Sequence, residues 1–314
     1  MSPFFVAKGQ DPLCHGRPNE FETQLNYIHE FLTSYKNSPK FSFFYNKVSH
    51  DDTNVIQFVD NTLVTFFQRL HDDKLMENSM IVMFGDHGTR FDGIRLTKQG
   101  KLEERLPLNV VIVPQRFAYN HPEFAVNLMN NQQRLITPYD YHATFQHILH
   151  ILHGNQGPPF SSPMKYQYSI FEKIPITRTC ENANVNEHHC ICRKRTDISI
   201  KDPTVVEGVQ AVIDYLNRIV DTDEHASKVC ENLTLKKINY AEELEAFPGS
   251  IYQVQFETLP GPSVFEGTFR KNEDQSIEVI EHYSRVTSYN GGDCGVKDHI
   301  KRVCQCKKIV NKGV

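Results

Sequence analysis

Asp86 and His87 stand side by side, Gly88 follows, and an apolar run from Ser79 to Phe84 leads into them. A carboxylate oxygen beside an imidazole nitrogen suits a borderline divalent ion such as zinc or manganese; calcium prefers oxygen alone. Gly88 permits a sharp backbone turn beside such an ion. Open α/β sheets put their chemistry at the carboxyl ends of strands, which is where this pair falls. Two ligands leave the site incomplete, because a catalytic zinc needs further protein ligands and an open position for water. The competing reading is a strand-ending turn in which Asp86 caps the next segment.

Seven of the eight cysteines lie between Cys180 and Cys306, with Cys14 alone near the start. An even, clustered set predicts disulfides and an oxidising compartment, outside the cell or in the secretory lumen. Cys14, Cys180, Cys190, Cys192, Cys230, Cys294, Cys304 and Cys306 are all assigned to bridges, with no connectivity implied. His188-His189-Cys190-Ile191-Cys192 offers a zinc alternative, but it lacks the paired spacing of zinc motifs, and bridges explain it better. Asn232-Leu233-Thr234 is a glycosylation sequon, in keeping with that compartment. Met1 to Lys8 has neither a basic start nor an apolar run long enough for a signal peptide. A secreted chain would carry its signal or anchor in a missing N-terminal part. A chain whose thiols stay reduced would be an intracellular zinc protein instead.

Charge is balanced, 34 basic against 38 acidic residues for a net −4, with no basic block, so nucleic acid is not an expected partner. No apolar stretch approaches the ~18 residues of a membrane span. His147, His150 and His153 recur every third residue and read as solvent-facing rather than as a metal face.

The elements that must position these residues alternate. Asn19 can cap a helix carrying Phe21, Leu25, Ile28 and Leu32. Phe41 to Tyr45 reads as a buried strand ending near His50. Val55, Ile56, Val59, Leu63, Phe66, Phe67 and Leu70 mark a second helix, and the strand before Asp86 follows it. Leu108 to Val113 is another strand, and Thr137 can cap a helix through Phe145, Ile148, Leu149 and Leu152. This alternation predicts an α/β fold with a mostly parallel sheet flanked by helices over residues 1–154. Residues 155–195 read as linker and Cys-containing tail. Residues 196–314 read as a small Cys-rich α+β domain, a helix opened by Asp202-Pro203 against antiparallel strands.

The order of these pieces resembles the C-terminal half of the sulfatase and alkaline-phosphatase superfamily. Cys14-His15-Gly16, Ser49-His50-Asp51, Gly85-Asp86-His87-Gly88-Thr89-Arg90 and Gln99-Gly100-Lys101-Leu102-Glu103-Glu104-Arg105-Leu106-Pro107 are similar, more narrowly, to an uncharacterised sulfatase-like family, domain of unknown function 229. Arg178-Thr179-Cys180 with Cys190-Ile191-Cys192 resembles that family's tail. The resemblance implies a partial alkaline-phosphatase-like sheet and metal-dependent hydrolysis or transfer of phosphate or sulfate esters. It makes Asp86 and His87 metal ligands and turns His50 toward the oxygens of an anionic ester or glycan. Arg90, Arg95 and Arg105 become candidate anion contacts, since a guanidinium fork suits tetrahedral oxyanions. Asp140 and His142 fall where the superfamily has a later helix start, and Asp at the third helical position is favourable on its own account. The superfamily's first strand, its carboxylate ligand and its nucleophile have no room before Cys14. The expectation is therefore a chain that cannot complete the reaction alone, with a non-catalytic extracellular binding protein as the alternative.

Overall fold

Asn19, itself in extended conformation, starts helix α1 (Glu20–Ser34), its Oδ1 accepting the Glu22 N–H at 2.8 Å. The computed structural model describes residues 19–48, 50, 53–154, 160–246, 249–288 and 294–307, and its helices and strands fall into two units, Met1–Asn130 and Asn131–Val314. This division precedes the helix that the sequence reading gave to the first domain, whose boundary was set at 154. Cys14 lies outside the described residues.

In the first unit, α1 packs on α2 (Asp60–Asp72). Phe21, Leu25 and Val59 are buried together, with Phe44, Val48, Leu63 and Phe66 against them. Polar bonds lock the pair: His29 Nε2 meets Asp73 Oδ2 at 2.6 Å, and Arg69 Nη1 donates to Asn26 Oδ1 at 2.6 Å. The apolar run yields β1 (Ile81–Phe84), and the next one β2 (Asn109–Ile112). Between them lies α3 (Lys98–Arg105); α4 (Gln115–Asn120) and α5 (Pro122–Asn131) follow.

The expected mostly parallel sheet is not what forms here. β1 and β2 pair antiparallel, Ile81 opposite Ile112 and Phe84 opposite Asn109. The connection explains it. Gly85 N–H donates to Leu108 O at 3.0 Å, so the chain re-enters beside the end it left, whereas a parallel partner needs a crossover to the opposite end. The expected strand at Phe41 to Tyr45 is extended but has no ladder among the described residues, and Phe41, Phe43 and Tyr45 are exposed.

The second unit begins with α6 (Pro138–Leu152), opened as expected at Thr137. Of the apolar residues that marked it, Leu149 and Leu152 are exposed and Phe145 and Ile148 partly buried, while Asp140, Tyr141, Ala143, Thr144 and His147 are inside. Polar side chains on this face hold an irregular segment. Asp140 accepts Thr137 N–H at 2.7 Å and Tyr168 N–H at 2.9 Å, and the Arg178 fork at 2.8 and 3.0 Å. Thr144 Oγ1 accepts Ile170 N–H at 2.9 Å. His147, expected in solvent, is buried against Ser169 Oγ at 3.0 Å and stacked on Phe160.

The small α+β arrangement holds. Helix α7 (Pro203–Asp221) is capped by Asp202, with Pro203 in its first turn. It lies on one face of a sheet ordered β3-β4-β5-β6-β7: Arg195–Asp197, Thr234–Leu244, Ser250–Leu259, Ser263–Lys271 and Ile277–Arg285, all antiparallel. Contact is close because it uses glycine on both sides: Gly208 faces the Phe269 ring, and Gly267 faces Val212. Helices α8 (Glu224–Val229) and α9 (Asp298–Lys301) close the end where Cys230–Cys304 and Cys294–Cys306 are bonded. A third bridge joins Cys180 and Cys190. Cys192 departs from the all-bridged expectation: its thiol is free and exposed, because the two cysteines beside it have bonded each other.

Two outcomes test these contacts. Arg178→Met leaves the Asp140 carboxylate buried without its cation, and we expect a loss of about 3–5 kcal/mol in denaturant unfolding; a loss below about 1 kcal/mol, the range of a surface pair, would contradict the assignment. Asp223 caps α8 and meets Lys297 Nζ at 2.9 Å. The Ala226 N–H first, and Lys297 next, lower its pKa from the ordinary 3.8 to about 2. The folded value is depressed, so the contribution is full above the ordinary value and is lost as pH falls toward about 2. Acid titrations followed by circular dichroism should show that loss in the wild type and a flatter profile in Asp223→Asn.

Candidate functional site

β1 delivers the chain to Gly85, whose position beside Pro107 leaves little room for a side chain. Asp86 Oδ1 accepts the His87 backbone N–H at 3.0 Å, which orients the carboxylate. His87 Nδ1 lies 2.7 Å from Gly88 O. A carbonyl only accepts, so Nδ1 carries a proton, and in the neutral ring the lone pair is on Nε2. This is the tautomer in which metal-binding histidines are held by a partner behind the ring. Nε2 stands 3.7 Å from Asp86 Oδ2. Zinc bonds of ~2.0–2.2 Å to each atom can bridge that gap, so the pair fits one divalent ion. The carboxylate is open to solvent and the imidazole half-buried.

The turn is braced from behind. Gly88 N–H donates to Glu104 O at 2.9 Å, and a Cβ at residue 88 would lie 2.1 Å from Glu103 O. Only glycine lets the Asp-His turn lie against α3 this closely. α3 is fixed in turn: Thr97 Oγ1 accepts Gly100 N–H at 3.0 Å, and Gly100 sits on the Ile94 carbonyl, where a Cβ would also fall at 2.1 Å. Arg95, in the short turn Gly93–Leu96, is 1% exposed and pairs with Glu104 Oε2 at 2.5 Å.

Of the sequence candidates, Asp86 and His87 come together, a carboxylate oxygen and a ring nitrogen 3.7 Å apart. Arg95 has a different role, since a guanidinium buried against Glu104 braces the turn rather than meeting a solute. Arg90 is partly exposed, its guanidinium 5.8 Å from the Phe91 ring centre. Arg105 lies half-buried at the end of α3. His50 is exposed, its backbone N–H bonded to Lys47 O. Among the described residues no third His, Cys, Asp or Glu converges on Asp86 and His87. The groups with metal-like spacing are Cys180, Cys190 and Cys192, and Cys230, Cys294 and Cys304, where the only free thiol is Cys192. Asp140 serves Arg178 and the start of α6. His188, half of the sequence's zinc alternative, is buried between Thr268 Oγ1 at 2.8 Å and Ser284 Oγ at 2.9 Å. Asn232 is exposed just ahead of β4. Sequence reasoning missed Glu104 and Gly100; the Gln99-to-Pro107 motif held both, read for its arginine instead of its bracing.

Gly88→Ala should cost about 1–3 kcal/mol, the usual range for forcing extra atoms into a packed contact. Gly93→Ala is the control, because nothing lies within 4 Å of a Cβ there. Equal melting temperatures for the two variants would overturn the brace.

No curated protein and no solved structure matches this chain. A family described as "Protein of unknown function (DUF229)" matches residues 5–239, well over half of the sequence, and the chain belongs to that family.

Proposed function

We infer that this chain supplies the Asp-His-Gly edge of a divalent metal site that engages phosphate or sulfate esters on a sulfatase-like scaffold. The 3.7 Å separation of Asp86 Oδ2 and His87 Nε2, with Nδ1 turned to the Gly88 carbonyl, carries this reading. Asp86 and His87 would hold the ion, zinc or manganese before calcium by the chemistry of the donors. When bound, the ion would neutralise an ester oxyanion and lower the pKa of a coordinated nucleophile. The Gly88 carbonyl fixes the His87 ring, and the Gly88–Glu104 bond fixes the turn. Arg90 is the described guanidinium best placed in sequence and exposure to add a fork to the anion. On this reading the remaining ligands and any attacking group come from outside the described residues. Three disulfides support an oxidising compartment, outside the cell or in the secretory lumen.

A second reading, binding without turnover, is favoured by the convergence of only two donors among the described residues. Titration calorimetry with zinc and manganese chlorides on the disulfide-bonded protein tests both. We expect binding that Asp86→Ala and His87→Ala each weaken at least tenfold, with melting temperatures of the free proteins unchanged. Failure to bind either ion would remove the metal reading. Hydrolysis of an aryl phosphate or aryl sulfate that disappears in Asp86→Ala would remove the binding-only reading.

A further inference from the structure

Asn232-Leu233-Thr234 is the single Asn-x-Ser/Thr sequence in the 314 residues. The fold fixes its flanks and leaves the asparagine outside. Glu231 N–H donates to Gln305 O at 2.7 Å, beside the Cys230–Cys304 bridge. On the other side the Asn217 amide clasps Leu233, donating to its carbonyl at 3.0 Å and accepting its N–H at 2.8 Å. Leu233 is buried, Asn232 before it is exposed, and the Asn232 side chain makes no hydrogen bond among the described residues.

What lies beside Asn232 gives a carbohydrate there a physical role. β3 pairs only with Glu242 to Leu244 of β4, and Ile198 N–H adds one bond to Ala241 O. Thr234 to Asn239 of β4 therefore form a sheet edge without a strand neighbour among the described residues. Open edges invite pairing with another chain, and proteins blunt them with bulges, lysines and bulk. This edge has two register shifts, between Leu235 and Lys237 and between Ile238 and Tyr240, and carries Lys236 and Lys237. Asn232 stands two residues before its start.

We propose that Asn232 carries an N-linked glycan that shields the open edge of β4. The site rests on the reading of an oxidising, secretory compartment. The Asn232 amide nitrogen attacks the anomeric carbon of a lipid-diphosphate-linked oligosaccharide. The C–N bond forms as the C–O bond to the diphosphate breaks, and the amide proton leaves with the lipid diphosphate side. Leu233 is clasped and Thr234 enters β4 in the folded chain, so transfer precedes folding of this unit.

Protein from its native source, treated with peptide-N-glycosidase in heavy-oxygen water, tests the site by peptide mass mapping. Thiol counting on the same sample reports the compartment. We expect Asn232 converted to heavy-oxygen-labelled Asp. Unmodified Asn232 in protein with its disulfides formed would overturn the glycan and leave the compartment reading standing. Unmodified Asn232 with every thiol free would overturn both. In secreted expression, Asn232→Gln and Thr234→Ala should lose the added mass and Thr234→Ser should keep it. The unglycosylated variants should shift toward larger species in sedimentation; variants as monomeric as the glycosylated protein would overturn the shielding role.

Discussion

The first unit turns on one close approach, the Gly88 backbone lying directly against Glu103 and Glu104. A carbonyl occupies the place where any other residue would carry its Cβ. That contact decides where the imidazole of His87 points, because the Gly88 carbonyl holding Nδ1 belongs to the same peptide segment whose N–H is tied to Glu104. Glu104 is itself held by Arg95, and α3 by the Gly100–Ile94 contact. Two glycines and one buried ion pair thus transmit the position of α3 to a pair of surface donors. A short two-stranded sheet could not do this alone, since neither β1 nor β2 has a fully buried residue.

The second unit solves a different problem, holding irregular chain without a ladder. Residues 160–190 contain almost no regular structure, so their backbone groups need partners from side chains. Asn131, Asp140 and Thr144 provide them from one helix end and one helix face. The Asp140–Arg178 pair is nearly inaccessible to water, and such pairs are retained for register more than for net stability. Arg178 also donates to Leu135 O and Tyr166 O, so its guanidinium joins three stretches of chain. The Cys180–Cys190 bridge and His188 continue the chain of anchors into the sheet, where Gln253 Nε2 donates to His188 O at 2.7 Å.

These two solutions explain what the sequence could reveal. α1, α7, β1 and β2 were legible because an apolar period and a cap residue determine them locally. β4 was not, since its register shifts interrupt the alternation of Leu235, Ile238 and Tyr240 that identifies a strand. α6 was found, but its buried side was not legible, because that side binds backbone and is largely polar. The direction of β2 relative to β1 depends on how the intervening segment returns, and no periodicity records that. At the site, Asp86 and His87 followed from residue type. The burial of Arg95 against Glu104 was not legible, because an arginine in a motif reads the same whether it faces solvent or a buried carboxylate.

The sulfur clusters sharpen the case for Asp86 and His87. Thiolates are the softer zinc donors and, when free, would take the ion first. Cys230, Cys294 and Cys304 have sulfurs within 4.8 Å of one another, as do Cys180, Cys190 and Cys192. Bridging removes all of these except Cys192 from competition, since a disulfide sulfur has no thiolate to offer. The protein packed around the exposed Cys192 partly desolvates its thiol and pushes its pKa upward. Oxidation therefore does more than staple the second unit. It takes six of the seven described cysteines out of any competition for a divalent ion.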